Sequence, residues 1–454
     1  MQLSKTLTFR SELRKKIQPF ENGAIAQWDE KTKDFQISAK PVTIKWPVTV
    51  KSFEGKEIYA SPEGKSTGDG SRKNPLDLQT ALDFAQEGQT VLLLPGTYKP
   101  NKPVIIQRGN DGSQKKRKTL TSVDGERAVL DLSGFKSNTS GFELYGNYWT
   151  VKNIDVTRTN GNQKGFQISG SHNIIQAVDT YLNGDTGLQI SGKSKEHRSK
   201  WPSYNLVEGC ESFANCDPAK NNADGFASKL TSGEGNVFRN CVSHHNVDDG
   251  WDFYAKVETG RTGAVLIENC IAYANGMMMD QSGEGNANGF KLGGEGLAVN
   301  HLIKNSLAFG NALNGITSNS NPALAIENCT SVYNDSSNYQ LYGKGKVDKN
   351  HPRTFTMKNV ISVKGGQADR YNERPEVLSE STYLWDGSKC RNSKKEELKE
   401  DIFISRDMAS LMDGYRKDGS FNRLKRNADN TFETGDLFRI KDQSVKKFGA
   451  DINK

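Results

Sequence analysis

The sequence has no long apolar run. No stretch approaches the roughly 18 residues that a membrane-spanning helix needs, so no span is expected. Hydrophobic residues make up only 34% of the 454 positions, while glycine reaches 44 and asparagine is frequent. That balance fits short strands and turns better than amphipathic helices. Met1–Lys16 carries Arg10, Arg14, Lys15 and Lys16 but no apolar centre, so it does not read as a signal peptide. Either the chain is not exported or a leader precedes this numbering. The six cysteines, at 210, 216, 241, 270, 329 and 390, form no Cys-x-x-Cys pair and no zinc spacing. Four of them share one repeat position and read as packing, and a Cys210–Cys216 disulfide stays open. RNP, zinc-finger and helix-turn-helix signatures are missing too, which disfavours nucleic acid as the partner for a net charge of +7.

What is present is a repeat. A strand motif recurs with its fourth residue at Ile154, Val178, Cys210, Cys241, Cys270, Ser306, Cys329 and Val360, spaced 23 to 36 residues apart. Five residues further on stands an asparagine, in six successive repeats: Asn183, Asn215, Asn246, Asn275, Asn311 and Asn334. A second Gly-apolar strand follows at Gly165, Gly187, Gly225, Gly250, Gly289 and Gly315. Periods of this length mean a solenoid, and the absence of any helical pattern inside them makes each unit a coil of strands. Stacked coils place like residues on like, so apolar and cysteine columns fill the interior and asparagines form amide ladders. The expected fold is all-β, a right-handed parallel β-helix. A short helix over Leu78–Leu82 would cap its first coil. Residues 1–55 read as an extension, with alternation over Val42–Val50. Residues 56–369 read as the β-helix catalytic domain, and 370–454 as an irregular segment capping the far end, with 394–400 helical.

Aligned on the second-strand glycine, two outward columns carry chemistry. Lys164, Thr186, Asp224, Asp249, Asn288 and Asn314 precede the glycine. Gln167, Gln189, Ala227, Asp252, Lys291 and Thr317 stand two residues after it. Side-chain alternation along a strand then projects Asp252 and Lys291 from one face, a single coil apart. Asp224, Asp248, Asp249 and Asp252 supply the all-oxygen shell that calcium prefers, whereas zinc would call for histidine or cysteine. Four carboxylates so close repel one another without a cation. Lysine is a poor base near its usual pKa of about 10.4, but a neighbouring cation and desolvation lower that value. A metal and a basic lysine without a water-activating acid pair suit elimination from a uronic acid. The metal binds the carboxylate and acidifies the C5 proton, the base removes it, and the C4–O bond breaks.

In these segments the chain resembles the family nine polysaccharide lyases, the pectate and rhamnogalacturonan lyases of parallel β-helix fold. The stretches that carry the likeness include Asp217-Pro218, Asn222–Phe226, Gly233–Asn236, Asp248–Asp252, Asn286–Gly294 and Ala308–Asn311, with Pro95–Tyr98 and Phe438–Ile440 further out. The resemblance implies that Asp224, Asp248, Asp249 and Asp252 hold calcium and that Lys291 is the catalytic base. It also implies a substrate contact for Lys229. Lys256, Arg261, Arg198 and Lys200 sit in loops beside the same face as further substrate-binding candidates, and Trp201 or Tyr254 could stack on sugar rings. The insertion Ala255–Gly263 leaves homogalacturonan and rhamnogalacturonan I equally open as substrates. The expected partner is an acidic pectic polysaccharide met by a secreted, periplasmic or cell-surface monomer. Met277–Met279 reads as loop packing.

Two rivals remain. A β-helical hydrolase of polygalacturonase type would also show Asp-Asp-Gly, but it uses paired carboxylates without metal, together with a Gly-His-Gly downstream of the acids. Here His244-His245 precede them. A non-catalytic solenoid would use calcium for structure alone.

Overall fold

In the computed structural model the ladder motifs become three parallel sheets wound into one right-handed solenoid. The structure describes residues 26–29, 31, 34–37, 52–123, 125–135, 140–278, 285, 287–343, 355–371, 379–412, 424–442 and 444–452. Two compact units result, Met1–Lys51 and Ser52–Lys454. In the first, Ala26–Asp29 and Asp34–Ile37 form an antiparallel hairpin. The basic start and the alternating Val42–Val50 lie outside the described residues.

In the second unit the coils from Thr90 to Tyr371 contribute one strand to each sheet. The first sheet runs from Glu57–Ala60 through Trp149–Lys152 and Val265–Glu268 to Thr356–Lys358. The second runs from Thr97–Tyr98 through Ile154–Thr157, Ile271–Tyr273 and Val360–Val363 to Thr382–Trp385, beyond which Cys390–Arg391 and Glu397–Leu398 add antiparallel. The third, which carries the site, runs from Val104–Ile106 through Phe226–Ser228, Trp251–Asp252 and Phe290–Lys291 to Arg370–Tyr371. The helix Leu78–Phe84 buries Leu78, Ala81 and Leu82 at the entry, and Asp77 caps it by accepting from the Thr80 amide at 2.9 Å.

The turn from the first sheet to the second explains part of the motif. Its third residue is left-handed, with φ of 45–57° at Asn153, Asn240, Asn269, Asn305, Asn328 and Asn359, and Gly209 takes the same place. Asparagine and glycine tolerate that conformation best. The next residue turns inward, and Ile154, Val178, Cys210, Cys241, Cys270, Cys329 and Val360 are fully buried. The cysteines are all free. Cys210 belongs to that interior column and Cys216 stands outside it, so the 210–216 pairing left open above does not form. At the following corner, Asn183, Asn215, Asn246, Asn275 and Asn311 each donate Nδ2 to the Oδ1 of the next asparagine at 2.8–3.0 Å, ending at Asn334. These buried amides satisfy one another along the stack, as expected.

The C-terminal segment covers the outside of the second sheet. Phe438 caps a ring stack running through Tyr181, Phe213, His244, Tyr273 and Phe309. Residues 394–399 are not helical, and only Glu400 opens a 3-10 turn, Glu400–Ile402. Asn392 Oδ1 accepts from the Lys394 and Glu396 amides, Lys395 turns left-handed, and Glu397–Leu398 pairs antiparallel with Cys390–Arg391. Local helix propensity yields there to an asparagine-centred turn and strand pairing. Further on, Arg426 forks onto Asp179, which Arg127 also pairs at 3.0 Å while holding Asp155 at 2.8 Å. Asp155, Asp179 and Glu211 are fully or nearly fully buried in one column. Arg426→Met should therefore cost about 3–5 kcal/mol of stability, because it strands buried carboxylates, and denaturant unfolding would register it.

Candidate active site

Three consecutive strands build the site. Phe226, Trp251 and Phe290 pair inward, and their rings stack at 5.0 and 4.6 Å between centroids. That interior stack fixes the register of the outward residues, placing Ala227 beside Asp252 and Asp252 beside Lys291. Amide bonds from Gly225 to the Asp249 carbonyl and from Gly250 to the Asn288 carbonyl continue the same register into the preceding column.

Asp224, Asp249 and Asp252 converge as the columns require. Each offers a carboxylate oxygen, and these oxygens lie within 4.8 Å of one another. Asp248 stands at the rim, half-buried, lining with Asp249, Asn288 and Lys291 a depression of about 340 Å³. Lys291 Nζ lies 2.7 Å from Asp249 Oδ2 and 3.6 Å from Asp252 Oδ1. Lys229 differs from its expected place. It is 8% exposed, and its Nζ bridges Asp224 Oδ2 at 2.7 Å and Asp252 Oδ2 at 2.9 Å, so it serves the acids from within.

Asn288 and Thr186, which carry no charge to single them out in the sequence, join this corner. Asn288 donates from its backbone and its side chain to Asp249 Oδ1, at 2.8 and 2.7 Å. Thr186 Oγ1 donates to Asp224 Oδ2 at 3.2 Å. Both stand in the column of Asp224 and Asp249, so their position was the available signal.

Arg198 donates to the Arg261 carbonyl, meets Glu234 at 3.5 Å and covers the Trp201 ring at 4.9 Å. Trp201 is buried beneath it, which removes that ring as a stacking platform. Lys200 is exposed and Lys256 half-buried. Tyr254 lies with its ring 6.0 Å from Lys291 Nζ and donates to Glu295. His244 and His245 are buried on the second sheet, where His244 Nε2 meets Glu211 at 3.2 Å, so they take no part in this corner. Met277 and Met278 are half-buried, and Met279 lies outside the described residues.

Burial, and then the neighbouring carboxylates, push Asp248 up to about 9. Burial also drives Asp224 up to about 7, against the pull of Lys229. Burial alone would raise Asp252 as well, but Lys229 and Lys291 overcome it and hold that carboxyl below its ordinary value. For Lys291 burial acts to lower the ammonium, yet Asp252 and Asp249 outweigh it and the net direction is upward. The lowering expected from the sequence needs a cation beside the amine. The carboxylates that surround it, without a cation among them, reverse the sign.

The chain matches the family model described as "Pel9A-like, right handed beta helix region" over residues 58–359. It is 47% identical over 363 residues to pectate lyase L of Thermoclostridium stercorarium, covering 79% of this chain and 29% of that protein. It is 38% identical to pectate lyase L of Paenibacillus polymyxa, covering 82% of each. Its fold superposes on pectate lyase Pel9A with a TM-score of 0.67 at 28% identity, covering 87% and 91% of the two chains. A rhamnogalacturonan lyase shares the fold with a TM-score of 0.70 at 23% identity, covering 87% and 99%. The chain therefore belongs to the Pel9A-like β-helix family, polysaccharide lyase family nine. It spans less than a third of the Thermoclostridium relative's length, so the activity of that whole protein is not carried over to it.

Proposed function

We propose that this chain is a calcium-dependent pectate lyase that cleaves galacturonate polymers by β-elimination. The observation that carries the reading is the acid triad in register with Lys291. Asp224 Oδ1 and Asp252 Oδ1 are buried and accept no hydrogen bond. Buried carboxylate oxygens without a donor are costly, and an all-oxygen set suits a hard cation. At full ionisation four carboxylates face two ammonium groups, an excess of two negative charges that one divalent cation cancels. Asp224, Asp249 and Asp252 would hold calcium, with Asp248 at the rim. Bound there, calcium would neutralise the uronate carboxylate, acidify the adjacent C–H and offset the field that keeps Lys291 protonated.

The protein groups do the rest. Lys291 Nζ, once neutral, takes the C5 proton; the freed electron pair forms the C4–C5 double bond and the C4–O bond breaks. Asn288 fixes the Asp249 carboxylate beside that amine, and Lys229 fixes Asp224 and Asp252 from behind. Pectate is favoured over rhamnogalacturonan I because the relatives at 30–47% identity are named pectate lyases or pectate disaccharide-lyase, whereas the rhamnogalacturonan lyase shares only the fold. The setting is outside the cytoplasm, where such polymers occur, and the chain acts as a monomer. Among the described residues no helix is long and apolar enough to cross a membrane. Incubation with homogalacturonan and with rhamnogalacturonan I tests the assignment. Unsaturated uronide should appear from the first, and its absence from both polymers would refute the reading.

The acids also set a pH dependence. A carboxyl raised in the folded state binds protons that the unfolded chain has already lost, so its contribution to stability declines as pH rises. Asp224 and Asp248 thus make the cation-free protein progressively less stable as pH rises from about 4, up to about pH 7 for Asp224 and about pH 9 for Asp248. Calcium needs both ionised and competes with those protons. The calcium-induced rise in Tm should grow from pH 6.5 to 8.5, as thermal unfolding in calcium and in EDTA would show.

A further inference from the structure

The outward face of the third sheet does not end at the acids. Gln167, Gln189, Ala227, Asp252 and Lys291 pair in unbroken register, four strand steps that span about 19 Å. At the far end of this row lies a second depression of about 210 Å³. Its lining includes Tyr145, Lys164, Gln167, Ser169, Ser191 and Lys193, beside the buried Glu143, which accepts from the Ser140 amide. Hydroxyls, an amide, an aromatic ring and ammonium groups are what a uronate sugar needs, with hydrogen bonds for its hydroxyls and a cation for its carboxylate.

The cations there are not equivalent. Lys164 Nζ is held by Asp185 at 2.8 Å, and the neighbouring Arg108 by Glu196 at 2.9 Å. Lys193 is exposed, and its Nζ rests 5.2 Å from the Tyr145 ring centre, a contact that leaves the ammonium open to an anion. Below it, Gln167 Nε2 donates to the Ser191 carbonyl at 2.6 Å and to its hydroxyl at 2.8 Å, and Ser169 Oγ donates to the same carbonyl at 2.7 Å. The floor is thus polar and tied by its own hydrogen bonds, while the cation above it is exposed.

We propose that this depression is a remote subsite for a galacturonate residue of the same polymer, several sugars from the one held at the acid corner. Lys193 meets its carboxylate, and Gln167 and Ser191 meet its hydroxyls. The proposal rests on the pectate reading above and adds a consequence to it. A chain long enough to reach from Lys291 to Lys193 gains affinity that a short one cannot.

The test compares kcat/KM for galacturonate oligomers of increasing length, with wild type and with the Lys193→Ala, Gln167→Ala double variant. Wild type should gain with length until the depression is reached. In the double variant the advantage of long over short oligomers should shrink about tenfold, the worth of one charge-assisted contact. Equal length dependence in both proteins would overturn the subsite. Calorimetric binding of a long oligomer to both proteins keeps the inference testable apart from turnover. Weaker binding by the double variant supports it, and equal binding refutes it. Failure of wild type to release unsaturated product at any length refutes the lyase reading instead.

Discussion

Lys291→Ala lowers turnover on polygalacturonate by at least about a hundredfold, the lower end of what a positioned general base supplies. Its side chain is 22% exposed and its partners are carboxylates, so the fold does not depend on it once a cation occupies the corner. Lys291→Arg is the sharper variant. A guanidinium keeps the positive charge beside Asp249 and Asp252 but does not shed its proton. If Lys291 is the base, arginine is as inactive as alanine while the circular dichroism spectrum and Tm stay near wild type. Substantial activity in Lys291→Arg would reduce the lysine to an electrostatic partner and place the base elsewhere.

Asp252→Asn comes next in size. Asp252 is the hub of the corner. One oxygen meets Lys229, and the other accepts no hydrogen bond and lies 3.6 Å from Lys291. Asparagine keeps the shape and removes the charge. The affinity for calcium should fall by more than the 10–100-fold that losing a supporting outer partner costs. The initial rate at fixed substrate should then need a correspondingly higher calcium concentration. An unchanged calcium titration, by rate or by calorimetry, would remove Asp252 from the cation shell.

Much of this corner was legible in the sequence because a solenoid makes position in the repeat equivalent to position in space. The glycine-anchored columns brought Asp224 to Asp249 and Asp252 to Lys291, and the asparagine every coil became an amide ladder. What the columns could not show is how side chains fold across them. Lys229 stands two residues beyond Ala227, and the small Ala227 leaves room for its long chain to lie over the strand and reach Asp224 and Asp252. Read in one dimension it was a substrate contact; in the fold it is a buried counter-charge. The upward direction of Lys291 in the cation-free corner was hidden for a related reason. It follows from the sum of several close charges, and the sequence gives their number but not their distances. Residues 394–400 failed differently, since their Lys/Glu pattern is helical and only the Asn392 turn overrides it.

The most direct measurement is the initial rate of unsaturated uronide release from polygalacturonate across a buffered series of free calcium, ending in EDTA. The rate is expected to rise and saturate with calcium and to vanish in EDTA, and to be restored when calcium is added back. A rate in EDTA equal to that in calcium would contradict the assignment of Asp224, Asp249 and Asp252 to a cation that makes Lys291 a base.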